Sequence, residues 1–247
     1  MTQYGLIGFP LRHSFSMGYF NEKFANEGIN AEYVNFELPS IDAFPDLIKE
    51  NIKLNGLNVT IPYKEKVIKY LNEMDATAKA VGAVNVIKFI KDKKGEVRLK
   101  GYNCDVIGFQ RSIDYMLENH HQGALILGAG GAAKAAYYVL KQLGLDVKMV
   151  SRNKGEAHLT YSELNEAIMN FHQVIVNATP VGMFPNVDAC PDIPYHLLTK
   201  RHILYDMLYN PNVTEFMKRG KERGATVKNG LEMLLLQADA SWEVWNE

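Results

Sequence analysis

Short apolar runs alternate along this chain with stretches whose apolar residues recur every three or four positions, the pattern of buried strands followed by amphipathic helices. Residues 4–8 and 32–36 read as strands. Residues 16–27 between them read as a helix with Phe20, Phe24 and Ala25 on one face. A helix is predicted over 41–49, with Ser40 as its N-cap and Ile41, Phe44, Leu47 and Ile48 as its apolar side. A strand at 56–60, a short helix after Pro62 and two extended runs at 83–90 and 97–101, joined by the turn KDKKG, complete the first part. From Asp105 the alternation starts again: a helix over 105–116, a strand at 124–127, the tight turn GAGGAA, a helix over 132–143 and a strand at 146–150. Further strands fall at 173–176, 203–207 and 225–227, with a helix over 213–223 and a last one over 231–245 rich in Leu, Met, Ala and Trp. Strand and helix in alternation predict an α/β fold with helices on the faces of open sheets and one hairpin.

At roughly 150 residues per domain, 247 residues make one large domain or two small ones, and the pattern places the start of a second unit near Asp105. Charge narrows the partners. With 27 Lys+Arg against 28 Asp+Glu, spread along the chain, there is no electrostatic footprint for nucleic acid or an anionic membrane, and a small molecule is the expected partner. The longest uncharged stretch, 167–187, contains Asn170, His172, Gln173, Asn177, Pro180, Pro185 and Asn186, so it does not read as a membrane span. The N-terminus has neither a basic region nor a long apolar one, and the only cysteines, Cys104 and Cys190, form no C-x-x-C pair. Both features fit a cytoplasmic protein. No histidine spacing suggests a metal centre. Monomer and homodimer are both compatible with the composition.

Candidate chemistry starts at GAGGAA. Gly128, Gly130 and Ala133 fit G-x-G-x-x-G/A between the strand ALIL and a helix, where glycines let the backbone approach a pyrophosphate and helix amides offer donors to it. The same residues would be an ordinary Gly-rich turn in another α/β protein; strand, turn, helix and strand in order favour dinucleotide binding. At the end of the next strand, where an acid would select NAD, stand Ser151 and Arg152. A guanidinium there suits a 2′-phosphate and points to NADP.

In the first part, Ser14 and Ser16 are two hydroxyls one residue apart, able to donate to one carboxylate, although taken alone they read first as a helix cap. NVTIPYK places Asn58, Thr60 and Lys64 at a strand's carboxyl end, where open α/β sheets bind ligands. GYNCDVIG places Asn103 and Asp105 at the proposed junction of the two domains, the usual location of a substrate cleft; Asp105 reads equally as the N-cap of its helix.

Taken together these segments resemble one family, shikimate dehydrogenase, over the length of the chain. GFPLRHSFS resembles its substrate-carboxylate segment, NVTIPYK its catalytic-lysine segment, VGAVNVI its substrate-asparagine segment and GYNCDVIGF its Asn-Thr-Asp segment. ILGAGGAA is similar to its nucleotide loop, SRN to its NADP segment, NATPVGM and YDMLYNP to its nicotinamide-side loops, and NGLEMLLLQA to its C-terminal helix. Met17 replaces a proline usual in the family, Cys104 a threonine, and Lys154 is the base available in place of a second one usual after the arginine.

The resemblance implies a two-domain α/β protein: an N-terminal open α/β substrate domain over 1–103, a Rossmann-like NADP-binding domain over 104–228, and a C-terminal helix, 229–247, packing back on the first domain. It implies reversible reduction of 3-dehydroshikimate to shikimate with NADPH. Lys64 and Asp105 would be the catalytic pair. Ser14, Ser16 and Tyr209 would hold the carboxylate, and Asn58, Thr60, Asn85, Asp105 and Gln237 the ring hydroxyls. Cofactor contacts would come from Gly128, Ala129, Gly130, Gly131 and Ala132, from Ser151, Arg152 and Asn153, and from Thr179, Met207 and Gly230. Two other readings fit parts of the sequence: an NAD-preferring quinate/shikimate dehydrogenase, and a non-catalytic NADP-binding module.

Overall fold

The computed structural model describes residues 1–11, 14–91, 96–155 and 157–247, so most of the KDKKG turn lies outside the described residues. The chain divides into two compact units, one formed by residues 1–104 and 238–247 and the other by residues 105–237.

In the first unit the elements run β1 (Thr2–Gly8), α1 (Phe15–Asn26), β2 (Ala31–Glu37), α2 (Phe44–Glu50), β3 (Leu54–Val59), β4 (Glu73–Met74), α3 (Ala76–Val81), β5 (Val86–Lys91) and β6 (Val97–Tyr102). The sheet order is β2-β1-β3-β5-β6-β4. β1, β2 and β3 are parallel, while β5 runs antiparallel to both β3 and β6. Tyr4 to Gly8 of β1 form an unbroken buried run, as expected of a parallel strand covered on both faces. On α1, Phe20 and Phe24 are buried but Ala25 is exposed. One residue step rotates a helix by 100°, which carries position 25 off the stripe that 20 and 24 share.

The helix expected over 41–49 is two pieces. A 3-10 turn, Ile41–Ala43, is capped by the Ser40 hydroxyl, and α2 follows with Pro45 in its first turn, where a missing N–H is harmless. The short helix after Pro62 is a 3-10 turn, Lys66–Tyr70. α3 was not foreseen, although Asp75 caps it through Ala78 N at 2.8 Å and Gly82 ends it at φ +72°.

The second unit holds α4 (Asp105–Ile113), β7 (Gly123–Leu127), α5 (Gly131–Gln142), β8 (Asp146–Ser151), β9 (Leu159–Thr160), α6 (Glu166–Phe171), β10 (Val174–Asn177), β11 (Ile203–Asp206), α7 (Glu215–Glu222) and β12 (Thr226–Lys228). α8 (Leu231–Asn246) begins in this unit and ends in the first. All neighbouring strand pairs of the second sheet, ordered β12-β11-β10-β7-β8-β9, are parallel. This is the Rossmann-like arrangement. Strand order reverses between β7 and β10, and such a reversal opens a crevice outside the carboxyl ends of those strands.

Part of the first unit's core comes from its C-terminal piece. Trp242 and Trp245 lie among Tyr4, Phe20, Phe24 and Tyr33, with Tyr4 and Trp245 ring centroids 4.8 Å apart. Trp245 also donates its indole N–H to the Ile87 carbonyl at 3.1 Å. Trp245→Ala therefore empties a buried site and removes one of the hydrogen bonds to a β5 carbonyl. It should cost about 3–5 kcal/mol, read as a lower urea midpoint by far-UV circular dichroism. A loss below about 1 kcal/mol would mean that the ring is not part of a packed core.

Candidate active site

In the first unit the expected residues collect along one edge of the sheet. Asn58 and Thr60 stand at the carboxyl end of β3, Asn85 immediately precedes β5, and Asn103 follows β6. Because β5 runs against its neighbours, its beginning lies beside the ends of β3 and β6, with Val86 paired to both Asn58 and Tyr102. Asn85 stitches these ends together. Its amide N–H donates to Tyr102 O at 3.0 Å, its carbonyl accepts Val59 N at 2.8 Å, and its side-chain oxygen accepts Cys104 N at 2.7 Å. Asn103 donates to Ala83 O at 2.8 Å.

Lys64 is half-buried, and its carbonyl accepts Val84 N at 2.8 Å, which fixes its backbone beside Asn85. The neighbouring Tyr63 hydroxyl anchors the same turn by donating to Leu38 O.

Ser14 is the N-cap of α1, its oxygen accepting Met17 N at 3.5 Å. A cap uses a lone pair and leaves the hydroxyl proton for another acceptor, so capping and carboxylate binding are compatible at this residue. Ser16 lies one residue into the helix, with its hydroxyl near the Tyr33 oxygen. Tyr33, whose hydroxyl burial pushes far above its usual range, donates in turn to Asn58 Oδ1 at 2.7 Å. The Asn58 amide donates to Ser241 Oγ at 3.0 Å and to Asn85 O at 3.4 Å. With both amide hydrogens engaged, Asn58 can offer a further ligand only a lone pair on Oδ1.

In the second unit the GAGGAA turn joins β7 to α5. Gly128 holds φ +114°, and a Cβ there would come within 3.1 Å of the Ala178 carbonyl oxygen. A side chain is thus excluded both by backbone conformation and by the approach of the β10 turn. Ala129 follows, Gly130 is the N-cap of α5 with no side chain capping it, and Gly131 and Ala132 open the helix. A Cβ on Gly130 would meet nothing within 4 Å. A twelve-residue helix opening with no side chain over its N-cap is the setting in which helix amides bind a pyrophosphate.

Ser151 ends β8, and Arg152 and Asn153 are exposed beyond it. Lys154 is paired with Glu163 at 3.1 Å. Glu163 also accepts Thr160 N and Thr160 Oγ1, at 2.7 and 2.9 Å, and these bonds with Lys154 hold its carboxyl below the usual range.

The remaining cofactor-side residues follow β10 and β11. Thr179 is tied by its N–H and hydroxyl to Asn177 Oδ1, at 3.1 and 2.6 Å. Met207 N donates to Asn177 O at 2.9 Å, and Gly230 N to Leu208 O at 2.9 Å. A Cβ on Gly230 would collide with the Met207 carbonyl. Tyr209 is half-buried, and burial raises its hydroxyl. Asp105 is buried at the start of α4, and Gln237 lies on α8 with its amide on Leu234 O at 2.9 Å. Asp105 and Gln237 belong to the second unit and Lys64 to the first. Among the described residues no group of three or more His, Cys, Asp or Glu could hold a metal ion, and no helix is long and apolar enough to cross a membrane.

Known proteins are similar to this chain in sequence and fold. The family model of the shikimate dehydrogenase substrate binding domain matches residues 6–87. The NADP(+) shikimate dehydrogenase of Caldicellulosiruptor saccharolyticus is 34% identical over 262 aligned residues, covering 99% of this chain and 92% of that protein. The chain belongs to the shikimate dehydrogenase family. The crystal structure of the Aquifex aeolicus member superposes with a TM-score of 0.86 at 34% identity, covering all of this chain and 92% of the other. The Thermus thermophilus member, solved with NADP(H) and shikimate, gives 0.85 at 28% identity over 99% of this chain and 93% of that one.

Within this shikimate dehydrogenase fold, four residues that support the site were not singled out from sequence: Tyr33, Ser241, Asn177 and Asp206. Asn177 and Asp206 sit inside NATPVGM and YDMLYNP, so the signal was present as a polar residue at the end of each apolar strand. Tyr33 and Ser241 carried none, because each acts through a partner 25 and 183 positions away.

Asp206 has no exposed surface, and burial raises its carboxyl from 3.8 to about 6 against three hydrogen bonds that lower it. The Tyr195 hydroxyl, itself raised by burial, feels its charge. Between those two values the folded state holds a proton that the unfolded state lacks, so this group's contribution to stability grows as pH falls through about 6. The shift corresponds to about 3 kcal/mol. Asp206→Asn should remove that component, so the variant gains stability relative to the parent at pH 7.5 and keeps only about half of that advantage near pH 5, compared by urea unfolding. Parallel pH dependences in the two proteins would show that Asp206 titrates normally.

Proposed function

We propose that the protein is an NADP-dependent oxidoreductase that interconverts 3-dehydroshikimate and shikimate, in the cytoplasm, where its two free cysteines suit a reducing environment. The observation that carries the reading is the gathering of Asn58, Thr60, Lys64 and Asn85 on one sheet edge of a family whose relatives are named for this reaction. Ser14, Ser16 and Tyr209 donate to the substrate carboxylate. Thr60, Asn85 and Gln237 hold ring hydroxyls, and Asn58 accepts from one. The α5 amides from Gly131, with Gly128 to Ala132 shaping the turn, bind the pyrophosphate. Ser151, Arg152 and Asn153 bind the 2′-phosphate, and Thr179, Met207 and Gly230 line the nicotinamide end.

The bound cofactor supplies a hydride to the carbonyl carbon. Negative charge then grows on the carbonyl oxygen, and Lys64 donates a proton to it, taking the proton back in the reverse direction. Asp105 accepts a hydrogen bond from the adjacent ring hydroxyl.

The reading is tested by absorbance at about 340 nm, the reduced-nicotinamide band exploited in hydride transfer, with shikimate and either NADP or NAD. Turnover should be seen, with the higher kcat/KM for NADP. Arg152→Ala should narrow that preference through the KM for NADP, since a charge-assisted contact contributes about 1.5–3 kcal/mol. Equal use of both cofactors by the parent protein would refute the role of Arg152, and absence of turnover with either would refute the activity.

Lys64→Ala should lower kcat by at least about 10², the lower range for general acid/base assistance, with a much smaller change in KM because the interaction strengthens as charge develops. A variant with near-normal kcat at every pH would show that Lys64 is only a surface charge.

A further inference from the structure

At the carboxyl end of β11 one fully buried carboxylate gathers donors from three segments. Asp206 Oδ1 accepts Asn177 Nδ2 at 3.0 Å and Leu208 N at 3.1 Å, and Oδ2 accepts Thr214 Oγ1 at 2.6 Å. All three donors are neutral. Each passes the constraint on. Asn177 holds both the N–H and the hydroxyl of Thr179, and its amide also reaches Val181 O at 3.3 Å. Leu208 lies between Met207 and Tyr209 and accepts Gly230 N through its carbonyl. Thr214 caps α7 by accepting Met217 N.

We infer that Asp206 is the positioning residue for the two turns that follow β10 and β11, setting Thr179 and Met207 for the cofactor and Tyr209 for the substrate. The roles of those three residues rest on the proposed function; the coupling of the two turns through one carboxylate does not. Shape and hydrogen-bond polarity explain why a carboxyl group stands here. Two donors converge on one oxygen and a hydroxyl reaches the other, so a side chain too short to reach them leaves three donors unsatisfied in a buried place. An asparagine keeps most of the arrangement. Its oxygen still accepts Asn177 and Leu208, and its amide can donate to Thr214 Oγ1 with the bond reversed.

The test compares Asp206→Asn, Asp206→Ala and Asn177→Ala with the parent, at a temperature where circular dichroism shows each variant folded. NADPH dissociation constants come from cofactor fluorescence, and kcat and both KM values from shikimate oxidation. Asp206→Ala should weaken NADPH binding and lower kcat by at least about tenfold each, while Asp206→Asn stays within about threefold of the parent. If the Ala variant does not fold, Asn177→Ala decides. By releasing Thr179 and Val181 while leaving Asp206 its bonds to Leu208 and Thr214, it should weaken NADPH binding at least about fivefold with less than about a twofold change in KM for shikimate. A purely structural role predicts lowered melting temperature with unchanged constants. The inference is overturned if the folded Ala variant, or Asn177→Ala in its absence, stays within twofold of the parent, or if Asn at 206 is as damaging as Ala. NADPH binding needs no turnover, so a parent protein that binds NADPH without oxidising shikimate refutes the proposed activity while Asp206 is still judged on binding.

Discussion

A sheet's ladder of backbone hydrogen bonds stops at the strand ends, and where those ends are buried something else must accept and donate in its place. In this protein amides and a carboxylate take over. Asn85 does so in the first unit, closing the ends of β3, β5 and β6 with its backbone and side-chain oxygen together. Asn177 and Asp206 do so in the second, at the adjacent ends of β10 and β11. The groups available to a ligand stand immediately beyond these residues, so the geometry of the sites depends on how completely the buried polar atoms are satisfied. Half-satisfied, the same network would cost stability and leave the edge residues without fixed positions.

The α/β class and the Rossmann-like second sheet were legible because they rest on long-range repetition: apolar strands such as ALIL between amphipathic helices, with a glycine turn at the first crossover. Elements without repetition were not. β4 and β9 are two residues each, too short to show a period, and α6 has six residues with Asn165 as its cap and only Met169 buried. Ala25 illustrates a different limit, since small residues are placed on a face by angle alone and one step of the helix decides the outcome. At the candidate site, sequence pointed to residues at strand ends, where chemistry is concentrated. The second layer escaped because a contact such as Asn58 to Ser241 spans 183 positions and leaves no spacing to read.

Cofactor choice shows how a sequence feature changes meaning in context. Lys154 reads as a second base for a phosphate, but it is engaged by Glu163, which is itself held by a capping box at Thr160. The surface pair is individually weak, yet it places an acid within the same short segment as Arg152. On the proposed function, the 2′-phosphate is therefore left mainly to the Arg152 guanidinium.

The first unit is discontinuous: its core takes Trp242 and Trp245, and its buried Asn58 takes Ser241, from the end of the chain. Residues 105–237 form the second unit without interruption. During synthesis, which proceeds from the N-terminus at about 5–20 residues per second, the first unit stays without these partners until the end of the chain emerges. The uninterrupted unit needs nothing made after Gln237. The first hundred residues therefore pass through synthesis with the sites of Trp242 and Trp245 unfilled, the period in which chaperone capture has the most to protect.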